Sequence, residues 1–142
     1  MLATTRGYVP TKTVKSWFEM LTPINHKFLR VFVEGMEVGE GLSLGVETIL
    51  KNPELAKAKY LLTCDDDNLP PADGLLRLLE KIEDSEYDVI GGLYWTKEEH
   101  GYPLIMGNPK NPNDWTPQIP HKELQECNGM GTGFTLYRMA MF

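Results

Sequence analysis

Apolar residues along the chain come either in short continuous runs or in stripes spaced by three and four, and the two patterns alternate. Residues 1–5 (Met-Leu-Ala-Thr-Thr) read as a short strand, closed by the turn Arg6-Gly7-Tyr8-Val9-Pro10. Val14, Trp17, Phe18 and Leu21 follow at i, i+3, i+4 and i+7, which places them on one helical face, with Thr11 or Thr13 as the cap and the aromatic stripe in the core. After the break Thr22-Pro23-Ile24-Asn25, the β-branched and aromatic run over residues 27–33 predicts a second strand ending at Glu34-Gly35. Leu42, Val46, Ile49 and Leu50 predict a second helix that stops before Asn52-Pro53, with Gly45 costing some of its stability. Residues 60–64 form a third strand that runs into Asp65-Asp66-Asp67-Asn68. Pro70 and Pro71 suit the first turn of a third helix, whose buried stripe is Leu75, Leu78, Leu79 and Ile82, and residues 89–94 predict a fourth strand.

Strand and helix therefore alternate, which predicts an α/β fold with a largely parallel, doubly wound sheet. The period fails between residues 96 and 121, where five of the ten prolines sit, at 103, 109, 112, 117 and 120. An irregular stretch of that length in a small domain is usually a functional loop or a lid. Residues 124–127 and 134–137 look extended and flank Gly129-Met130-Gly131-Thr132-Gly133.

Length and composition narrow the picture. A chain of 142 residues holds one domain, and 42% hydrophobic with 24% charged residues excludes disorder and a disulfide-stapled miniprotein. A net charge of −6 opposes binding to a long phosphate backbone, so nucleic acid is not an expected partner. No window approaches the ~20 continuous apolar residues of a membrane helix, and the N-terminus lacks a signal-peptide layout. Two cysteines, Cys64 and Cys127, are too few for a metal knuckle and read as reduced and buried. A soluble, cytoplasmic protein is the expectation.

In an open α/β sheet, ligands bind beyond the carboxyl ends of the strands. Here the first three strands end at Thr4-Thr5-Arg6, at Glu34 and at Asp65-Asp66-Asp67, so connectivity gathers these groups along one edge. Three adjacent carboxylates repel: two unit charges ~4 Å apart interact by ~4 kcal/mol at an effective dielectric near 20. A divalent cation relieves that repulsion, and oxygen-only ligands point to Mg²⁺ or Mn²⁺, which complete their shells with phosphate and water. An acidic protein can thus bind a diphosphate. The same tetrad also reads as a solvated turn in which Asp67 or Asn68 caps the next helix. A calcium loop is excluded, because Leu69, Pro70 and Leu76 stand where that motif requires other residues.

The strand running through Cys64-Asp65-Asp66-Asp67-Asn68-Leu69-Pro70-Pro71 resembles the DxD-bearing strand of the GT-A fold glycosyltransferases, in particular the large family 2 group of bacterial and phage sugar transferases. Val89-Ile90-Gly91-Gly92-Leu93-Tyr94 and Gly129-Met130-Gly131-Thr132-Gly133-Phe134-Thr135-Leu136 are similar to later segments of that family, in the right order. The resemblance implies a GT-A sheet flanked by helices that binds a nucleotide-sugar donor through a divalent metal, Mn²⁺ or Mg²⁺, for transfer to a glycan, lipid or protein acceptor. It makes Asp67 the main metal ligand. Asp65 then contacts the ribose or a metal-bound water as a second member of the metal site, and Asp66 falls among the nucleotide contacts. Thr4, Thr5 and Arg6 match the first nucleotide-contacting turn, and Glu34 matches the residue that accepts a base N–H, which favours uracil and hence a UDP-sugar. Glu34 reads equally as a solvated strand end, and Arg6 as a surface side chain. Gly131, Thr132 and Gly133 resemble the segment near sugar and acceptor, although glycines there also serve as a tight turn or bulge. Trp95 has the place to stack on a sugar ring, but packing is its commoner use.

The family usually supplies its general base, an Asp or Glu, from a helix after the Gly-Thr-Gly-Phe segment, and this sequence stops at Phe142 after a mostly apolar run. That pattern predicts a single nucleotide-sugar-binding domain over residues 1–142 lacking its C-terminal part, with the catalytic base beyond Phe142. Such a base contributes ~10² to 10⁴ in rate. Glu98, Glu99 and His100 in the long loop are weaker substitutes. If the parent enzyme inverts, reaction at the anomeric carbon is a single displacement. The alternatives are a sugar nucleotidyltransferase, disfavoured by only one Gly and one Arg after the first strand, and a non-catalytic nucleotide-sugar-binding module. Self-association into a homo-oligomer is left open.

Overall fold

The computed structural model describes residues 1–97 and 99–142. Its elements are β1 (Leu2–Thr5), α1 (Thr11–Glu19), β2 (Val31–Glu34), α2 (Val38–Lys51), β3 (Tyr60–Cys64), α3 (Gly74–Glu83), β4 (Val89–Gly91), β5 (Ile105–Met106), β6 (Gly129–Met130) and β7 (Phe134–Arg138), followed by a 3-10 turn over Met139–Met141. Five strands form the main sheet in the order β2-β1-β3-β7-β4. β1 pairs in parallel with β2 and β3, whereas β7 runs antiparallel between β3 and β4. Four of the strands therefore share one direction, and the largely parallel sheet expected from the alternation is present with a reversed strand inserted in it.

Side chains of successive strand residues point to opposite faces, and the cores follow that rule. Ala3, Leu62, Cys64, Ile90, Phe134 and Leu136 face α1 and α3, meeting Trp17, Leu75, Leu78 and Ile82. Leu2 and Leu61 face the other way and pack with Ile49 of α2. Helices thus cover both faces. α2 approaches β1 closely because it presents glycine: a β-carbon on Gly45 would lie 2.5 Å from Leu2 Cδ1, and one on Gly41 3.0 Å from Thr4 Cγ2. The cost of Gly45 to the helix is offset by this contact.

Several boundaries and faces differ from the sequence reading. Of the predicted stripe of α1, Trp17 is core, whereas Phe18 is 83% exposed and Leu21 also faces solvent. The buried residues are Thr13, Trp17 and Met20, at i, i+4 and i+7, one position earlier and hence rotated by about 100°. A Thr on the apolar face hid that solution from a hydrophobicity count. Neither Thr11 nor Thr13 caps the helix; Pro10 stands at the N-cap without a side-chain bond. β2 is shorter than residues 27–33, and Phe28 packs on the core without pairing. In α2, Leu50 is exposed, and Glu37 caps the N-terminus through bonds accepted from the N–H groups of Gly39 and Glu40. α3 starts at Gly74, after Pro70 and Pro71, and neither Asp67 nor Asn68 caps it. At the other end, Arg138 donates to the carbonyls of Ile82, Ser85 and Tyr87, satisfying orphan acceptors where α3 ends.

The fourth strand ends at Gly91, three residues before the predicted limit, and residues 124–127 form no strand. The proline-rich stretch is ordered by pairing: β5 and β6 form a separate two-stranded sheet, Trp95 bridges Pro103, and Met106 bridges Pro117. Within it Gly107 has φ +74°, and a β-carbon there would collide with the Asp114 carbonyl. No helix of the described residues is long and apolar enough to cross a membrane.

Candidate nucleotide-binding cleft

The parallel strands β1 and β3 end side by side, so the turn after one faces the carboxylates after the other. Thr4 and Thr5 are buried, and Thr5 shapes its turn: its hydroxyl donates to the Tyr8 carbonyl at 3.1 Å and accepts from the Gly7 N–H at 3.3 Å. Gly7 takes φ +106°, a conformation that suits a residue without a β-carbon. Across from this turn, Asp65, Asp66 and Asp67 follow the buried Cys64. A cleft of about 240 Å³ lies between, with Thr4, Thr5, Arg6, Asp65, Asp66 and Asp67 in its wall. Six residues predicted from strand ends are thereby brought together. The cleft also takes Tyr8, Met36 and Val38, which the sequence did not single out.

Glu34 closes β2 in register with Thr5 but is exposed and outside that wall. Trp95 is 53% exposed and also lies outside it. More apolar cavities lie elsewhere, under the core and along β4; they contain no part of the acidic triplet.

Of Gly131, Thr132 and Gly133, it is Gly133 that touches the triplet. The Asp65 N–H donates to the Gly133 carbonyl at 3.0 Å, and a β-carbon on Gly133 would sit 2.7 Å from Asp65 Oδ2 and would overlap the Asn68 amide. The amides of this segment are engaged within the protein: Gly133 N–H donates to the Tyr94 hydroxyl at 2.7 Å, and Gly131 N–H to the Leu104 carbonyl at 3.0 Å. The Thr132 carbonyl accepts from the Thr63 hydroxyl at 2.5 Å. The glycines here allow close packing of backbone against Asp65, Asn68 and Tyr94.

Burial pushes the Asp65 carboxyl above the usual carboxylate range, and the charges of Asp67 and Asp66 push it further; Lys97 opposes the shift. Cys64, packed beneath, has its thiol pushed up to about 12 by burial, although it accepts a 3.1 Å bond from Trp17 Nε1. Both cysteines are free thiols, but only Cys64 is buried as expected; Cys127, in the irregular stretch before β6, is partly exposed. Asp67 forms an ion pair with Lys97, Nζ to Oδ2 2.5 Å. Lys97 and Tyr94 were missed in the sequence because the path after β4 has no period from which their direction follows. Glu99 and His100 are exposed; Glu98 lies outside the described residues.

Among the described residues no three Asp, Glu, His or Cys side chains converge as a ready-made cation cage. The donor set nevertheless fits a hard divalent ion held by one or two carboxylates with diphosphate oxygens completing its shell. Asp65 feels the charges of its neighbours, and the Lys97 ammonium already supplies positive charge to Asp67.

A family model described as Glycosyl transferase family 2 matches residues 19–142. Among solved structures, the crystal structure of A197 from STIV superposes with a TM-score of 0.67 at 21% identity, covering 96% of this chain and 63% of that one. The likeness is one of fold, and the present chain spans less than two thirds of the length of that neighbour. Curated proteins give no significant match. The GT-A architecture expected from the DxD-like strand and the later glycine segment is thus the architecture observed.

Proposed function

This chain belongs to glycosyl transferase family 2, and from that premise we propose that the cleft between β1 and β3 binds a nucleotide-sugar donor, a UDP-sugar, for transfer of its sugar to a glycan, lipid or protein acceptor. The observation that carries this reading is the convergence of Thr4, Thr5 and Arg6 with Asp65, Asp66 and Asp67 around one cleft. Such a donor brings a diphosphate, and the acidic wall can tolerate it only with added positive charge.

Asp67 and Asp65 hold a divalent cation in this reading, Mn²⁺ or Mg²⁺, whose role when bound is to neutralise the diphosphate as it leaves the sugar. Arg6, at the rim, reaches the diphosphate with a planar fork of donors suited to phosphate oxygens. Asp66 and the Thr4-Thr5 turn orient the nucleoside. Tyr8, Met36 and Val38 give the base an apolar wall, and Glu34, one strand over, accepts the uracil imide N–H. The sugar lies toward Gly131, Thr132 and Gly133, with Trp95 on the acceptor side. We place the reaction in the cytoplasm, a setting in keeping with two free thiols, and assign residues 1–142 to one donor-binding domain.

Calorimetry with UDP tests the reading. In Mn²⁺ we expect saturable binding that chelation removes; binding that survives chelation contradicts the metal role, and no binding in either condition contradicts the donor site. Asp67→Ala should weaken UDP binding in Mn²⁺ by at least about tenfold, equivalent to ~1.4 kcal/mol, with an unchanged circular dichroism spectrum. A loss of folded signal would instead make Asp67 structural.

A further inference from the structure

Lys97 stands on the tip that follows β4. The base of that tip is tied down: Trp95 bridges Pro103, the Thr96 N–H donates to the Tyr102 carbonyl at 3.0 Å, and the Tyr102 N–H donates to the Thr96 hydroxyl at 3.1 Å. One residue before Trp95, the Tyr94 hydroxyl accepts from Gly133, which itself touches Asp65. The tether fixes where the Lys97 backbone sits relative to the triplet. The side chain is 72% exposed, with its ammonium 2.5 Å from Asp67 Oδ2 and no second ion-pair partner among the described residues. A lysine is a point charge on a flexible stem with three donors and no fixed acceptor geometry, so it can exchange one anion for another by rotating its own bonds.

Asp67 is the carboxylate assigned above to the divalent cation, so two cations share one acceptor. We propose that Lys97 is the resident counter-ion of Asp67, displaced when the divalent cation arrives and then transferred to the diphosphate that accompanies it. The exchange balances charge at each stage: without donor, Lys97 offsets one charge of the triplet, and with donor it offsets one charge of the diphosphate. This inference rests on the donor-site reading and adds to it a specific role for a residue that does not ligate metal. Lys97 therefore opposes metal binding in the free protein and favours nucleotide binding in the metal-loaded one, a pair of effects with opposite sign that a purely structural ion pair does not produce.

Lys97→Met keeps the stem and removes the charge, and at so exposed a position it is not expected to disturb folding. Mn²⁺ affinity of the nucleotide-free protein, read by electron paramagnetic resonance of free Mn²⁺, should rise about two- to fivefold, the range of an exposed ion pair. UDP affinity at saturating Mn²⁺, read by calorimetry, should fall about fivefold or more, as expected for a lost charged hydrogen bond. Lys97→Arg should restore UDP binding. An unchanged or weakened Mn²⁺ affinity, or undiminished UDP affinity in Mn²⁺, overturns the proposal. If the unaltered protein binds neither Mn²⁺ nor UDP, the donor-site reading itself fails, and the two failures are distinguished by that control.

Discussion

Asp65 carries the conflict between folding and binding in its own carboxyl group. It is half-buried behind Cys64, faces Asp66 and Asp67 along its own turn and Lys97 from the opposing one, and holds its proton above the ordinary carboxylate range. Because the folded pKa lies above the unfolded one, the folded state binds more protons within that interval. Stability therefore declines as pH rises through it and is lower at neutral pH than an uncharged residue there would allow. Asp65→Asn should raise the melting temperature of the metal-free protein at pH 7 and flatten its acid-side pH dependence. Mn²⁺ should raise the melting temperature of the unaltered protein but have little effect on the variant. Thermal scans against pH, with and without Mn²⁺, check both statements; a lower melting temperature for Asp65→Asn would show that the carboxylate is a net structural asset.

Among the elements, α2 shows how a local cost is decided by packing. A glycine inside a helix loses about 1 kcal/mol relative to alanine, so Gly45→Ala in an exposed helix would stabilise. Here the new methyl would press within 2.5 to 2.8 Å of the δ-carbons of Leu2, which is fully buried and hemmed in by the sheet. Overpacking of that kind costs ~1–3 kcal/mol, which outweighs the propensity gain. Gly45→Ala should lower stability by about 1 kcal/mol net in urea unfolding, and a stabilised variant would mean that α2 can slide on β1. The same contact matters to the cleft, because α2 also holds Val38 in its wall and Gly41 against Thr4. The element readings succeeded where an apolar run was uninterrupted, as at β3, whose limits match, and where leucines marked a broad stripe, as in α3. They placed α1 but not its buried face, because Thr13 takes a core position, and found β4 but not its end, because Leu93 and Tyr94 continue the apolar run after the strand has left the sheet.

For the molecule as a unit, the expected consequence of the cleft is linkage between ligand and stability. A ligand that binds only the folded state at 100 times its dissociation constant adds about 2.7 kcal/mol. For a domain near this size that corresponds to a rise of about 10 °C in melting temperature. UDP with Mn²⁺ should produce a shift of that order, removed by chelation and absent with adenosine monophosphate; equal shifts with either nucleotide would contradict a uracil-selective pocket. The sheet order sets this up, since β1 and β3 are neighbours in space though α1, β2 and α2 separate them along the chain.

Order along the chain was enough for the alternation of strand and helix, the acidic triplet at a strand end, and the membership of Thr4, Thr5 and Arg6 in the same edge. These follow from local periodicity and from the rule that parallel strands finish on one side. What folding alone settled are relations between residues far apart in sequence. β7 reverses and inserts between β3 and β4, which brings Gly133 against Asp65, and the proline-rich stretch folds on β5 and β6 so that Lys97 reaches Asp67. Neither contact has a periodic signature, because each is fixed by where two separate backbones are packed, and the first also by the absence of a β-carbon on Gly133.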